Sequence, residues 1–452
     1  MQLYDLTIAE ASKKIQAKEL SPVELTQSVL DRIESLEPKV QAWVTVVKEQ
    51  ALQAAKEAEK EIFEGKYKGP LHGIPYGAKD SYYTAGIRTT AGSTVNGDFV
   101  PEKDGTIISR LKNGGAVLLG KTTQTEYAFP TAPPSTRNPW NLEHTPGASS
   151  SGSSAGLAAS MMLFSLGTQA GGSLSRPASY NALTTLKPTY GRVSREGIIT
   201  CSWSIDHPGA FTRTVEDTAL ILQTITGYDQ LDPTTSQAPV PNYSDSLVND
   251  VTGMVLGVPD SYFFDDIDSE VAQAFEESVK SYQELGAKVV SVSLPEYIKD
   301  ANKAHGIVMR TEFAAYIQKF YDKIAEVSDP ALIETVQIGL LTSAVDYLKA
   351  QRVRTLFRTD LVKELNRIDA MLTPATPTPP PKGISFTGSP VFNVPFSNSG
   401  VPTLTFPNGF TKAGMPLGLQ LVARPLGEET LIRLGYAYQC LTNWHEARPS
   451  LS

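Results

Sequence analysis

One short segment of the sequence, residues 145–156, concentrates side chains that could do chemistry. It reads TPGASSSGSSAG, so five of its twelve residues are serine and three are glycine. A serine hydroxyl becomes a nucleophile when a neighbouring base takes its proton. Small polar residues in such a run are also typical of flexible linkers. The segment is therefore either a linker or a catalytic loop, and the surrounding motifs decide between these two interpretations.

Within that segment, GSSAG matches the nucleophile-elbow pattern G-x-S-x-G at Ser154. In an elbow a strand leads directly into the turn that exposes the serine, but the preceding residues HTPGASSS contain no apolar run. A Ser–His–Asp enzyme also needs a histidine base. The chain has five histidines: His72, His144, His207, His305 and His445. None stands in a setting that marks a general base, so the pattern favours structural histidines.

A second formal match, GAVLLGKT at residues 115–122, fits the phosphate-binding pattern G-x-x-x-x-G-K-[ST]. In that loop the residues between the glycines turn so that successive backbone N–H groups surround a phosphate. Here those residues are Ala, Val, Leu and Leu, which favour a buried strand. We therefore predict a strand, and no nucleotide site, at this position.

Composition narrows the class of protein further. Apolar residues make up 41% and charged residues 19%, which is typical of a folded globular chain. The net charge of −8 and the lack of a basic stripe disfavour nucleic acid as a partner. Only Cys201 and Cys440 occur, without a CxxC pair, so we expect neither a disulfide framework nor a zinc site.

The same bulk features lead to expectations about the environment of the chain. No window approaches the roughly 18 to 20 apolar residues of a membrane span. The start, MQLYDLTIAEASKKIQ, does not show a basic region followed by an apolar core. We expect a cytoplasmic protein that needs no metal or other cofactor and does not contact a membrane.

A third set of motifs resembles the amidase signature family along nearly the whole chain. HGIPYGAKD carries Lys79 at the end of an apolar run, TPGASSSGSSAG contains Ser149, and LGTQAGGSLSRPASYNALTTLKPTYGRVS contains Ser173. The resemblance continues in GKTTQTEYAF, PSTRNPWNLEHTPG, FTRTVEDTALIL and VPTLTFPNGFTKAGMPLGLQLV. Several ordered motifs at matching spacing are far more specific than one short pattern.

This resemblance implies hydrolysis of amides by a Ser–Ser–Lys triad. It places the nucleophile on Ser173, the bridging serine on Ser149 and the base on Lys79, and it implies a cis peptide bond between Ala148 and Ser149. The family's oxyanion-hole donors correspond to the backbone N–H groups around Ala170, Gly171, Gly172 and Ser173. On this interpretation the serine-rich segment is a catalytic loop.

The chemistry of the implied base sets a condition on Lys79. Lysine accepts a proton only when neutral, so its pKa must fall from about 10.4 towards neutrality. Burial produces such a fall, because the ammonium form loses its hydration. The preceding run IPYGA is consistent with the end of a buried strand. The alternative is an exposed lysine that pairs with Asp80.

The motif around the nucleophile departs from the family pattern G-T-D-T-G-G-S-I-R-x-P. Gln169 stands at the acidic position and Ser175 at the arginine position, with Arg176 one residue later. Both members of an expected ion pair are thus absent together, which costs less than leaving one charge uncompensated. We expect an altered scaffold around an intact triad.

Three functions remain open on these residues. A stand-alone amidase, monomeric or homodimeric, fits best, with small hydrophobic or aryl amides, carbamates (urethanes) or esters as small-molecule substrates. KPTYGRVSREG also resembles the glutamine-hydrolysing component of a tRNA-dependent amidotransferase, its A chain, which works beside partner subunits. A non-catalytic binding protein on the same scaffold is disfavoured because all three triad residues are present. Candidate substrate-binding residues are Tyr127, Phe129, Pro130, Trp140 and Ser150.

The elements that must position these residues are predicted from hydrophobic periodicity. Helices are expected at residues 7–17, 22–36 and 48–64, with Ser21 as a helix start. Between residues 70 and 208 the short runs HGIPYGAKD, GAVLLGKT, LFSLGT and VSREGIIT predict strands that alternate with helices. Further strands are expected at VLGVP, KVVSVSLP, VPTLTFP and LGLQLV, with a helix near residues 269–285.

Together these elements predict an α/β protein in which helices cover both faces of a large mixed sheet, and the resemblance implies the amidase-signature fold. We expect one domain over residues 1–452, with N-terminal helices at 1–64. Its core spans roughly 65–235 and 365–445. The variable region 236–364 is expected to form a helical cap that faces the substrate, and LTPATPTPPPKG an exposed polyproline segment.

Overall fold

Strands and helices alternate along most of the chain, and the computed structural model describes residues 2–129, 131 and 133–451. The strands are β1 (Trp43–Val46), β2 (Pro75–Lys79), β3 (Val117–Thr122), β4 (Phe164–Gln169), β5 (Thr184–Lys187), β6 (His207–Thr212), β7 (Val255–Pro259), β8 (Lys288–Val292), β9 (Ala370–Pro374), β10 (Thr403–Phe410) and β11 (Pro416–Val422). The helices are α1 (Ile8–Gln16), α2 (Pro22–Val40), α3 (Lys48–Phe63), α4 (Thr106–Asn113), α5 (Ser151–Ala158), α6 (Ser175–Tyr180), α7 (Val215–Ile225), α8 (Ser269–Glu284), α9 (Ile298–Ile317), α10 (Tyr321–Val327), α11 (Pro330–Leu341), α12 (Ala344–Leu365), α13 (Val394–Ser399) and α14 (Glu428–Leu441).

The strands form one mixed sheet in the order β1-β3-β2-β4-β6-β5-β10-β11-β9-β7-β8. β2 runs parallel to β3 and β4, and β7 runs parallel to β8 and β9. The other neighbours are antiparallel. Every residue of β2, β4 and β6 is buried, which requires cover on both faces of the sheet. The predicted α/β class and large mixed sheet are confirmed.

The N-terminal helices begin where side chains satisfy their free backbone N–H groups. Ser21 Oγ accepts hydrogen bonds from the N–H groups of Val23 and Glu24, and Pro22 occupies the first helical position of α2. Thr7 and Glu10 form a reciprocal capping box at the start of α1. Such caps each stabilise a helix by about 1 kcal/mol. The predicted helix start at Ser21 is confirmed.

Strand β3 contains residues 117–122 of the GAVLLGKT match, so the residues between its two glycines do not form an open loop. Gly120 has φ +149°, and a Cβ there would lie 2.0 Å from the carbonyl oxygen of Thr45 on β1. The glycine therefore permits close approach of two strand backbones. The segment is a buried strand, as the apolar residues between its glycines predict.

The helical cap is formed by α9, α10, α11 and α12, and the buried apolar residues of these helices belong to one cluster. Its buried members from these helices are Ala304, Val308, Phe313, Ala314, Ile317, Ile324, Leu332, Val336 and Ala350. Tyr127, Phe129, Ile199 and Ile205 belong to the same cluster, so the cap packs on segments outside it. The predicted region 236–364 is too wide for a cap, because its first part adds β7 and β8 to the sheet.

Two local predictions are wrong. VSREGIIT forms no regular strand; only Val193 and Ile198 make isolated bridges, to Thr226 and Tyr82. The segment LTPATPTPPPKG is not generally exposed, because it begins inside β9 and its residues 372–377 are buried. Proline lacks a backbone donor, but it fits the end of a strand such as β9, which ends at Pro374.

Among the described residues, no single helix has both the length and the apolar character needed to cross a bilayer. Helices α11 and α12 meet that requirement only as a pair, across a bend of 97° between them.

Candidate active site

The centre of the site is Lys79, the last residue of strand β2, which is the third strand from one edge of the sheet. Its side chain is fully buried, and Nζ donates hydrogen bonds to Ser149 Oγ at 2.8 Å and Thr168 Oγ1 at 2.7 Å. Because β2 and β4 are parallel neighbours, their carboxyl ends meet at one edge of the sheet and bring Lys79 to Thr168. Burial lowers the pKa of Lys79 to about 7. A neutral amine is therefore accessible near neutral pH.

Asp80 does not pair with this lysine, so the alternative of an exposed ion pair is wrong. The Asp80 carboxylate accepts hydrogen bonds from the backbone and hydroxyl of Thr90, and it lies 3.9 Å from Lys121 Nζ. Successive side chains of a strand point to opposite faces, which separates Asp80 from Lys79. The two hydroxyl partners of Lys79 carry no charge that would hold it protonated.

A buried carboxylate, Asp206, lies in the loop before β6, and its negative charge favours the protonated form of Lys79. It accepts hydrogen bonds from the N–H groups of Cys201 and Ser202, at 2.6 and 3.2 Å. Burial raises the pKa of Asp206 to about 6, and its charge opposes the fall in the pKa of Lys79. Asp206 is not among the site residues predicted from the sequence, because it lies far from Lys79 along the chain and belongs to none of the matched motifs.

The serine-rich segment is rigidly built into the core. Every residue from 145 to 156 is buried, and the peptide bond between Ala148 and Ser149 is cis, as the resemblance implies. Ser151 begins α5, and its hydroxyl donates to the carbonyl of Gly147 at 2.9 Å. A Cβ on Gly152 would lie 2.1 Å from the carbonyl oxygen of Ala42, so the segment needs glycine for close packing. The linker interpretation is wrong.

Ser173 lies in the loop between β4 and α6, at the wall of a cavity of about 270 Å³. Ser149 and the predicted oxyanion-hole residues share that wall. The lining consists of Ala128, Ser149, Ala170, Gly171, Gly172, Ser173, Arg176, His305, Met309, Ser385, Phe386, Thr387, Gly388, Pro390 and Val394. The structure thus brings Ser149, Ser173 and the glycine pair to one cavity. Lys79 is not among the described lining residues, but it donates a hydrogen bond to Ser149. A hydroxyl, a relay hydroxyl and a buried amine can together move a proton away from an attacking serine.

Gln169 replaces the missing ion pair with a chain of neutral hydrogen bonds. Its Oε1 accepts from the N–H groups of Leu174 and Ser175, at 2.8 and 2.9 Å, where α6 begins. Its Nε2 donates to Ser397 Oγ at 3.0 Å, and Ser397 Oγ donates to the Gly171 carbonyl at 2.7 Å. Hydrogen bonds between uncharged groups therefore hold the Ser173 loop on both sides.

Arg176 takes a different position from the family arginine. It is buried, and its two terminal nitrogens donate to the carbonyls of Gly388 and Ala148, the second at 2.5 Å. Burial lowers the pKa of Arg176 to about 10. The Ala148 carbonyl immediately precedes Ser149, so Arg176 links the backbone next to Ser149 to the cavity wall at Gly388.

The predicted substrate-binding side chains do not reach this cavity. Tyr127 and Phe129 are buried against Phe313 of the cap, with ring centroids 5.8 and 4.4 Å apart, while Ala128 between them lines the cavity. Trp140 packs on Phe410 and donates to the Asn181 carbonyl at 3.1 Å.

The remaining candidates lie elsewhere too. The Ser150 hydroxyl is fully buried and contacts the backbone N–H and carbonyl of Thr168, each at 3.4 Å. Pro130 lies outside the described residues. Instead, His305 and Met309, one helical turn apart on α9, form the cap side of the cavity. Both residues lie in the region predicted to form a helical cap that faces the substrate, although neither was identified individually from the sequence.

No group of three or more His, Cys, Asp or Glu side chains that could hold a metal ion occurs in the ranges that the structure describes. Cys201 is buried and Cys440 is exposed, and both are free thiols.

Comparison with known proteins identifies the family. The family model described as Amidase matches residues 24–432, and the chain belongs to the amidase signature family. The resemblance carried by the ordered motifs is therefore confirmed.

Individual relatives differ in their chemistry. The chain is 40% identical over 486 aligned positions to the A chain of the glutamyl-tRNA(Gln) amidotransferase of Geobacter metallireducens, with 100% of both chains covered. It is similar to the native peptide amidase of Stenotrophomonas maltophilia, with a TM-score of 0.88, 29% identity and 98% of each chain covered. A solved vestigial protein complex that bears on the origins of an s-triazine catabolic enzyme gives a TM-score of 0.91 at 28% identity, over 99% of this chain and 100% of that chain.

The neutral chain from Gln169 to Gly171 generates a first prediction. Ser397→Ala removes the donor to the Gly171 carbonyl and the acceptor of the Gln169 Nε2 hydrogen bond, so the Gly171 peptide, which belongs to the predicted oxyanion hole, loses its anchor. We expect the rate at which a fluorophosphonate modifies the protein to fall about tenfold, in line with the cost of one unsatisfied buried group.

Ser399→Ala is the matched control, because Ser399 is also buried on α13 but bonds only to carbonyls of its own helix, Pro395 and Phe396. Equal modification rates for the two variants and the wild-type protein would contradict a role of Ser397 in orienting the loop.

Proposed function

We propose that this chain is an amidase that hydrolyses a linear amide through an acyl-enzyme on Ser173, with Ser149 as relay and Lys79 as base. The observation that carries the proposal is the environment of Lys79. Its side chain is fully buried, and Nζ donates to two hydroxyl oxygens, one of them Ser149 Oγ at 2.8 Å. The Ser149 hydroxyl also lines the cavity that contains Ser173, so the hydrogen bond from Lys79 links the buried amine to that cavity.

The first half of the reaction forms the acyl-enzyme. Ser173 Oγ attacks the amide carbonyl carbon while its proton passes to Ser149 Oγ, whose own proton passes to neutral Lys79 Nζ. The carbonyl oxygen becomes an oxyanion, for which the backbone N–H groups around Gly171, Gly172 and Ser173 are donors. Such donors contribute about 3 to 4 kcal/mol each in comparable enzymes.

The second half releases the products. Protonated Lys79 returns its proton through Ser149 to the amine, which leaves as the C–N bond breaks. Water then attacks the ester carbonyl of the acyl-enzyme and gives a proton through Ser149 to Lys79. Lys79 returns that proton through Ser149 to Ser173 Oγ as the C–O bond breaks and the acid leaves. Carbamates and esters need only these same steps, so urethane and ester cleavage belong to the proposed activity.

The cavity favours a mainly apolar substrate of small size. Its described lining contains apolar side chains such as Met309, Phe386 and Val394, and Arg176 is the one charged side chain among the fifteen lining residues. Small hydrophobic or aryl amides and carbamates therefore fit this cavity better than a substrate with a free ammonium group, which would lie near a guanidinium and lack an acidic partner.

Modification of the nucleophile tests the triad. After treatment with a fluorophosphonate, we expect the wild-type protein to gain the mass of one adduct and Ser173→Ala to gain none. Ser154→Ala is the matched control: Ser154 belongs to the GSSAG match but is fully buried in α5, where its hydroxyl bonds to backbone carbonyls. We expect it to be modified like the wild-type protein. An adduct that persists in Ser173→Ala would place the reactive group elsewhere, and an inert wild-type protein would favour a binding function.

A second candidate function is that of the glutamine-hydrolysing component of a tRNA-dependent amidotransferase. The comparisons favour this candidate over the stand-alone amidase, because the chain is 37 to 40% identical over nearly its full length to the A chains of several such enzymes. Glutamine carries both an ammonium and a carboxylate, whereas the described cavity wall offers a guanidinium and no carboxylate. This difference in charge ranks the glutaminase second.

Substrate turnover separates the two candidates. We expect the isolated chain to release aniline chromophore from an acyl anilide and amine from an aryl carbamate, with at least about a hundredfold lower kcat/KM for glutamine, because an unpaired charge in an apolar site costs several kcal/mol. The assay follows chromophore and ammonia release by the wild-type protein and by Ser173→Ala. Efficient ammonia release from glutamine, with no turnover of anilides, would reverse the ranking.

A further inference from the structure

The cavity that contains Ser149 and Ser173 has a buried floor and an exposed rim. The two serines are 2% and 8% exposed, whereas Phe386, which lines the same cavity, is 59% exposed. Among the described lining residues, Phe386 is the one large apolar side chain that is exposed to this extent. Its phenyl ring therefore lies where the cavity opens to solvent.

The ring of Phe386 does not contribute to the core of the protein. It belongs to none of the apolar clusters in the part of the chain that the structure describes. Single exposed apolar side chains are common on protein surfaces, but this one shares a cavity with the proposed nucleophile. Removal of its surface from water is favourable, and a ligand that fills the cavity is in a position to cover it.

The segment that carries Phe386 is held at both ends and makes no hydrogen bonds between them. The N–H of Gly383 donates to a backbone carbonyl at 2.7 Å, and the Gly388 carbonyl accepts from Arg176. Both glycines have left-handed backbone, with φ +85° and +86°. Residues 384–387 form no hydrogen bond with any other described residue. Phe386 can therefore adjust to a ligand without the loss of a hydrogen bond.

The chemistry of the lining favours an aromatic ring over an aliphatic group of the same size. Two aromatic rings pack in offset-stacked or edge-to-face geometry, and such pairs are stronger than their buried area alone explains. A thioether such as that of Met309, which also lines the cavity, makes favourable contacts with aromatic rings. Arg176 adds a cation, which is attracted to the face of a ring. No carboxylate among the described lining residues competes for that charge.

We propose that Phe386 is a specificity-determining residue that packs against an aromatic ring of the substrate at the mouth of the catalytic cavity. This inference rests on the proposed amidase function. It narrows the substrate from any small apolar amide or carbamate to one that carries an aromatic ring. Either the acyl part or the amine part can carry that ring, and a pair of reversed amides distinguishes the two.

The test uses two isomeric amides that differ only in the direction of the amide group. The N-methylamide of phenylacetic acid carries its ring in the acyl part, and N-benzylacetamide carries it in the amine part. Each has a cyclohexyl analogue, which is apolar and of similar size but not aromatic. Dissociation constants are measured by ligand-observed NMR with the Ser173→Ala protein, so that binding is read without turnover.

Three further proteins, each of which also carries Ser173→Ala, separate the effect of the ring from that of an apolar side chain. Phe386→Leu keeps an apolar side chain without a ring, and Phe386→Trp keeps an aromatic one. Phe63→Leu is the matched control, because Phe63 at the end of α3 is 61% exposed and is not among the described lining residues.

We expect the Ser173→Ala protein to bind at least one phenyl amide about threefold to tenfold more tightly than its cyclohexyl analogue, the gain from one aromatic pair. Phe386→Leu should abolish that preference, whereas Phe386→Trp and Phe63→Leu should keep it. The isomer that shows the preference identifies the part of the substrate that carries the ring. No phenyl preference in either pair would overturn the inference, whatever the folding of the Phe386 variants.

Turnover by the wild-type protein keeps this result apart from the proposed function. If the phenyl amides are hydrolysed but bind no more tightly than their cyclohexyl analogues, the amidase proposal stands and the role of Phe386 fails. If the affinities differ as expected but neither phenyl amide is hydrolysed, the aromatic site stands and the amidase proposal fails. An equal loss of affinity for all four amides in Phe386→Leu would mean that the side chain only shapes the cavity, which also overturns the inference.

Discussion

The burial of one lysine is the constraint on which the site depends. Lys79 is fully buried, and within the described part of the chain two hydroxyl groups receive its hydrogen bonds. Holding an ammonium in such a place is unfavourable, and the pKa falls to about 7 as a result. The position of Lys79 at the carboxyl end of β2, between β3 and β4 in the sheet, makes this burial possible. The sheet and the helices that cover it therefore shield this amine from solvent, as they do the amines of Lys121 and Lys187.

Most hydrogen bonds around the cavity also join uncharged groups. Gln169 and Ser397 anchor the Ser173 loop with neutral hydrogen bonds, where the family pattern has an acidic residue and an arginine. A carboxylate beside the predicted oxyanion hole would oppose the negative charge that develops in the proposed attack. Arg176 adds a positive charge to the cavity, held by backbone carbonyls. The described wall therefore combines apolar side chains with one positive charge, which disfavours substrates that carry an ammonium group.

The sequence predicts the strands and the ordered motifs well, because these depend on local periodicity and on spacing. Lys79 at the end of an apolar run and the cis bond before Ser149 are both expected from the resemblance and are both present. The cavity lining is not predictable in the same way. Trp140 and Ser150 lie near the motif in sequence but face β10 and β4, whereas His305 comes from a helix far along the chain. Asp206 could not be predicted either, because only the folded sheet brings its loop near Lys79. Tertiary packing, which no local pattern encodes, decides these positions.

A titration of Lys79 tests most directly its proposed role as the base. NMR of protein labelled with ¹³C and ¹⁵N in lysine follows the side-chain signals across pH, and Lys79→Arg identifies the signal by its loss. Since Lys187 is also buried with a pKa lowered to about 7, Lys187→Met provides the second assignment. The account predicts that the Lys79 signal titrates near pH 7, with the neutral amine above that pH and the ammonium below it. A Lys79 signal that stays protonated until about pH 10, the ordinary value for lysine, would contradict the role of this residue as the base.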